Sequence, residues 1–133
     1  SGQRSTRYHP RIGYEKMNKK NANEIPLTTV EAGQNTQTQI LIGPEEAPNF
    51  AMRRFIMQPG GGMPKHTNKV EHEQYVLRGE ATIGIGNQEI NVKQDDVVFI
   101  PAEVAHWYRA EGDTPFEFLC IVPNSTDEIK IVD

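Results

Sequence analysis

From Thr28 onward, apolar and polar positions alternate in short runs: TTVEA, TQTQILIG, NFAMRRFIMQP, HEQYVLRG, EATIGIG, QEINV, DVVFIP, AHWYRA and FEFLCIVP. Gly, Pro, Asn or Asp separates each run from the next. A period of two between turn formers predicts β-strands, and so many strands without a long helical stretch predict an all-β sandwich or barrel. The clearest hairpin is EATIGIGNQEINV, where Gly86-Asn87 sits between two alternating runs and suits a tight turn that needs positive φ. Residues 1–26 are polar and aperiodic and carry Pro10 and Pro26, so they read as an irregular N-terminal arm. With no internal repeat and no linker, residues 27–133 read as a single β domain.

Strand parity then sorts the polar residues. In HEQYVLRG, His72, Gln74 and Val76 share one face, while Glu73, Tyr75 and Leu77 share the other. In AHWYRA, His106 goes with Tyr108 and Trp107 turns away. Both faces hold apolar residues, which suggests strands packed on two sides. If NFAMRRFIMQP is a regular strand, one of Arg53 and Arg54 points inward, where it would be a ready carboxylate clamp; parity alone does not say which. Glu71 and Glu73 flank His72 on the opposite face and are expected to meet solvent or a neighbouring chain rather than substrate.

Composition narrows the function classes. The 133 residues suit one core, and 36% apolar with 24% charged residues and no long apolar run predict a water-borne domain outside the membrane. Net charge is −4, and basic residues cluster only at Arg4, Arg7, Arg11, Lys16, Lys19 and Lys20, a solvated tail; no nucleic-acid footprint is expected. The single cysteine, Cys120, excludes an internal disulfide and reads as a buried thiol within FEFLCIV. With no signal peptide ahead of the domain, the expected location is cytoplasmic. Ser1-Gly2 has the look of a cloning remnant.

Two spaced motifs carry a resemblance. In the first, Gly60, His66, Asn68, His72 and Gly79 follow the pattern Gly, five residues, His, one residue, His, three or four residues, Glu, six residues, Gly, with Asn68 at the second His and His72 at the Glu. In the second, Pro101 and His106 fit Gly, five residues, Pro, one residue, Gly, two residues, His, three residues, Asn, while Asp95, Glu103 and Ala110 replace the glycines and the asparagine. Over roughly residues 50 to 123 the chain resembles the cupin superfamily. That resemblance implies a cupin-type β-barrel, a double-stranded β-helix or jelly roll.

It also implies one divalent transition metal ion per chain, held by His66, His72 and His106, with Asn68 at the fourth position either coordinating directly or holding a metal-bound water. Imidazole suits Zn, Fe, Ni and Cu, and Mn also occurs in cupins, so the donors do not choose the metal. Three neutral imidazoles without a carboxylate leave the ion's charge uncompensated, which favours a small anionic ligand. Gln74 and Tyr108 are candidate substrate-binding residues beside it; the alternative is that Tyr108 fills core volume and Gln74 bonds the backbone. The implied activity is a metal-dependent enzyme acting on a small organic anion, first of all a dioxygenase. Decarboxylase, isomerase or lyase chemistry on a sugar acid or dicarboxylate, and non-enzymatic ligand binding, are the alternatives. Gly60-Gly61-Gly62 leads into a strand and lacks the Lys-Ser/Thr ending of a phosphate loop, so it reads as a flexible pocket rim. A homodimer is expected, with the alternating segment 28–42 adding to a neighbour's sheet edge.

Overall fold

The structure, a computed structural model, describes residues 16–133. Arg4, Arg7, Arg11, Ser1-Gly2 and the first 15 residues of the expected arm lie outside the described residues. The elements are β1 (Thr28–Thr29), β2 (Gln34–Ile42), β3 (Phe50–Thr67), β4 (His72–Arg78), β5 (Glu80–Ile85), β6 (Gln88–Lys93), β7 (Val97–Ile100), β8 (His106–Glu111), β9 (Phe116–Pro123) and β10 (Lys130–Ile131). Among the described residues a 3-10 turn, Ala22–Glu24, precedes them. All pairings are antiparallel, in the order β6-β5-β8-β3-β9-β4-β7, with β2 and β10 also on β3 and β1 on β2.

β3 organises the curl. Its first half pairs with β9 from Phe50 to Met57, and its second half pairs with β8 from Gly62 to His66. One strand therefore joins both halves of the barrel. The three glycines that read as a flexible rim lie inside this strand, which corrects the sequence expectation. Alternation is lost there because the strand passes from one half to the other, with a register shift between Met63 and His66. At Gly62 a Cβ would lie 2.0 Å from the Tyr108 carbonyl oxygen, so glycine lets β3 and β8 approach closely.

The core is built from the inward faces: Met57, Val76, Ile83, Ile100, Phe116, Phe118 and Cys120 are all but inaccessible. On β4 the burial alternates as parity predicts, with His72, Gln74 and Val76 buried and Glu73 and Tyr75 exposed. Among the described residues, the outer face of β4 and β7 is not covered by a second layer. Tyr75, Val97 and Phe99 on the outer face are 43%, 72% and 55% exposed, so their apolar character does not come from a second layer of this chain.

The motif departures have a backbone explanation. Asp95 and Glu103, which stand where the second motif has glycine, adopt φ of 74° and 70°. The fold asks for the left-handed region at both places, and this chain meets the demand with residues that reach it at a modest steric penalty. Both are held by main-chain hydrogen bonds, Asp95 N to Val76 O at 2.9 Å and Glu103 N to Asn68 O at 2.8 Å. Gly79 has kept its glycine: φ is 80°, and a Cβ would sit 2.3 Å from Pro115 O.

The described part of the arm is irregular apart from the 3-10 turn and lies against the outer side of β2. Gln39 on β2 is buried beneath it and donates through Nε2 to Ala22 O at 2.8 Å and to Ile25 O at 2.7 Å. The segment 28–42, expected as one strand, is two strands with a turn between them, and its burial does not alternate cleanly.

Candidate metal centre

The three motif histidines reach one place from two halves of the barrel. His66 and His106 are direct cross-strand partners on β3 and β8, which brings their ring centroids to 4.2 Å. His72 comes from β4, with its ring centroid 5.6 Å from that of His106. All three are buried and line one cavity of about 220 Å³. Asn68, just past the end of β3, lines it too.

Hydrogen bonds set which atoms face inward. His66 Nδ1 lies 2.8 Å from Pro64 O and His106 Nδ1 lies 3.0 Å from Val104 O. A carbonyl only accepts, so the proton sits on Nδ1 and the Nε2 lone pair is free in each ring. His72 Nδ1 contacts Cys120 Sγ at 3.6 Å. The Asn68 amide is oriented by Asp127, because Nδ2 donates to Asp127 Oδ2 at 3.0 Å and Oδ1 is left without a partner. Asp127 Oδ1 in turn accepts from the Lys69 N–H at 2.7 Å, tying the segment after β9 to the loop after β3.

The buried polar atoms without hydrogen-bond partners include His72 Nε2, His106 Nε2 and Asn68 Oδ1. An unpaired buried acceptor costs about 1–3 kcal/mol, so several around one cavity form an arrangement that calls for a ligand. Protonation does not relieve it: burial lowers the His72 pKa to about 3, with Arg53 opposing the charge further, and burial lowers that of His106 to about 4. Both rings are neutral near pH 7, the state a metal requires. Among the described residues no group of three or more His, Cys, Asp or Glu side chains stands as it would need to stand to hold a metal ion. The His72 and His106 rings are nevertheless neutral and, like the Asn68 amide oxygen, unpartnered among the described residues, donors of a kind that suit a divalent transition ion.

Apart from Arg53, the rest of the cavity is apolar or neutral. Tyr108 stacks on Phe118 at 5.3 Å with 10° between the rings, and Phe118 stacks on Phe55 at 5.2 Å. Gln74 Nε2 donates to Tyr108 Oη at 2.6 Å, so the two residues singled out by parity form one buried pair on the cavity wall. Burial pushes the Tyr108 phenol well above its ordinary pKa and raises the Cys120 thiol as well. Neither is a base near neutral pH.

Of the two arginines, Arg53 faces the cavity and Arg54 does not. Arg53 lies opposite Cys120 in register, its guanidinium 5.3 Å over the Phe55 ring and its Nη2 3.9 Å from Cys120 Sγ. Arg54 on the other face pairs with Glu117 and donates to Gln39 Oε1 at 3.2 Å. Glu71 and Glu73 are exposed and interact with each other, which raises the pKa of Glu73, so neither lines the cavity. Sequence reasoning missed Cys120 as the neighbour of His72, and it missed Asp127 altogether. The parity of FEFLCIV could have shown the first; the polar run around Asp127 carries no period that could have shown the second.

Residues 53–122 match the family model described as Cupin domain. The chain belongs to the cupin family. A cupin 2 domain-containing protein from Halorhodospira halophila is 30% identical over 80% of this chain and 74% of that one, with a TM-score of 0.70. The polyketide cyclase RemF from Streptomyces resistomycificus shares the fold at a TM-score of 0.82 and 24% identity, covering 89% of this chain and 87% of its own. A curated relative, 1-methylthio-D-xylulose 5-phosphate methylsulfurylase from Rhodospirillum rubrum, is 29% identical over 60% of this cupin and 51% of its own length. The chain spans about half the length of the curated relatives it matches. Among the described residues no helix is long and apolar enough to cross a membrane.

Proposed function

We propose that this cupin is a metal-dependent enzyme that cleaves a small organic anion with dioxygen. The observation that supports it is the cavity itself, in which unpartnered neutral donors from His72, His106 and Asn68, with His66 beside them, face an apolar wall that carries no carboxylate. Bound there by His66, His72, His106 and the Asn68 amide oxygen, Fe, Mn, Ni, Zn or Cu would supply a Lewis-acid charge that the protein leaves uncompensated, and so would attract an enolate or carboxylate. Pro64 and Val104 carbonyls hold two of the rings in the ligating tautomer. Tyr108 accepts from Gln74, which leaves its own phenolic proton to donate to a substrate oxygen.

One feature of the cavity supports oxygen chemistry over isomerisation. Isomerases and lyases move protons with a group whose pKa lies near the working pH. In this cavity burial raises the Tyr108 and Cys120 pKa values, so neither the phenol nor the thiol serves as such a group. The volume of about 220 Å³ is below the roughly 300–1,000 Å³ of drug-sized pockets, which limits the substrate to one ring or a short chain.

With Fe(II)-loaded protein and a panel of small 2-oxo acids and 1,3-dicarbonyl compounds, oxygen uptake should match product formation. Equal turnover under argon would defeat the oxygenase reading. It would leave non-oxidative lyase or isomerase chemistry.

The proposal extends to a cytoplasmic homodimer. A buried free thiol at Cys120 suits a reducing compartment. Tyr75, Val97 and Phe99 form an exposed apolar patch on the outer sheet face, and Leu119 and Ile121 of β9 line the same depression. Light scattering at micromolar concentration should give twice the chain mass, and a single-chain mass would refute the dimer.

A further inference from the structure

Arg53 is the one charged side chain among the residues that line the site cavity. Its Nε is buried without a hydrogen-bond partner among the described residues, where its one hydrogen-bond contact is Cys120 Sγ at 3.9 Å, a weak acceptor at long range. Among the described residues it makes no ion pair, whereas its neighbour Arg54 is paired with Glu117. A guanidinium carries five donors in a planar fork, and this half-buried one keeps its Nε out of water with no anion to meet it. Its contact with the face of Phe55 steadies it without neutralising it.

Its position relative to the donors is fixed by the sheet. Arg53 on β3 lies opposite Cys120 on β9, which lies opposite Gln74 on β4, and His72 is two residues before Gln74 on the same face. Arg53 and the β4 donors are therefore separated by two strand spacings, roughly 10 Å between backbones, with the side chains turned into the space between. A short acid spans that gap.

We propose that Arg53 binds the carboxylate of the substrate, which makes the substrate class a small carboxylic acid with a second oxygen function at its other end, facing His66, His72 and His106. This rests on the metal-centre reading for the second end only. The fork and the cation site then act as two separate anion subsites, and the aromatic stack between them accounts for a flat or apolar middle.

Calorimetric titration with benzoate and with benzamide, its neutral counterpart, tests the assignment in metal-free and Zn(II)-loaded protein. The parent should prefer benzoate by about tenfold in the metal-free form, the amount one charge-assisted hydrogen-bond pair supplies. Arg53→Met should abolish the preference, and Arg53→Lys, which keeps the charge but not the fork, should retain only part of it. Without ligand, Arg53→Met should melt at or above the parent temperature, because an unpaired guanidinium has been removed. Equal binding of the two probes, no binding of either, or a marked fall in the melting temperature of Arg53→Met would overturn the proposal. Zn(II) retention, read on the same samples, separates the two readings. Lost metal with the benzoate preference intact sinks the metal centre alone, and retained metal without the preference sinks Arg53 alone.

Discussion

Replacing His106 with alanine should strip the protein of its divalent ion and leave it folded but inactive. His106 is 1% exposed, lies beside both other histidines, and its Nε2 has no partner among the described residues. Losing a mere supporting partner of a metal ligand weakens metal binding by about 10–100-fold, so loss of a ligand should exceed about 100-fold. Metal content after dialysis, measured by atomic emission on protein purified without a metal-affinity column, should fall from one ion per chain to background, and turnover should fall with it. A metal-free melting temperature close to the parent's would show that the loss is local. Stoichiometric metal in the alanine variant would remove His106 from the site.

Acidification should destabilise the metal-free protein well before its carboxylates titrate. The folded pKa values of His72 and His106 are lowered to about 3 and about 4 from 6.5, chiefly by burial. Below pH 6.5 the unfolded chain takes up a proton at each ring that the folded chain refuses, so stability is fully present above that pH and is lost as pH falls toward the folded values. Each group contributes about 1.4 kcal/mol per pH unit in this window, so the pair removes about 4 kcal/mol between pH 6.5 and pH 5. That is a large part of the 5–15 kcal/mol typical of a domain. Urea unfolding at pH 7, 6 and 5 should show the decline, and the His106→Ala variant should show about half of it. A flat profile from pH 7 to 5 would mean that the two rings accept protons in the folded state.

The strands and the inward histidines were legible because both depend on local pattern. Period-two alternation in HEQYVLRG put His72 and Gln74 on one face, and the cupin resemblance implied that His66, His72 and His106 converge; the structure buries that face and pairs His66 with His106. What parity could not decide was settled by partners far along the chain. Arg53 and Arg54 are adjacent on a strand, and only the pairing of Arg53 with Cys120 on β9 shows which one turns inward. The glycine run looked like a loop because strand propensity fails there, yet β3 continues through it, held by pairing on either side. Asp127 gave no signal at all. Its role comes from a contact 59 residues away in the chain, where Asn68 needed its amide turned.

That contact makes the chemistry of the fourth donor reversible. An amide presents oxygen on one side and nitrogen on the other, and only the carboxylate of Asp127 chooses which of them looks toward the imidazoles. Were the segment carrying Asp127 to swing away, Asn68 could rotate by half a turn and offer hydrogens where an ion expects a lone pair. A coordinating corner would become a repelling one without a single residue being changed.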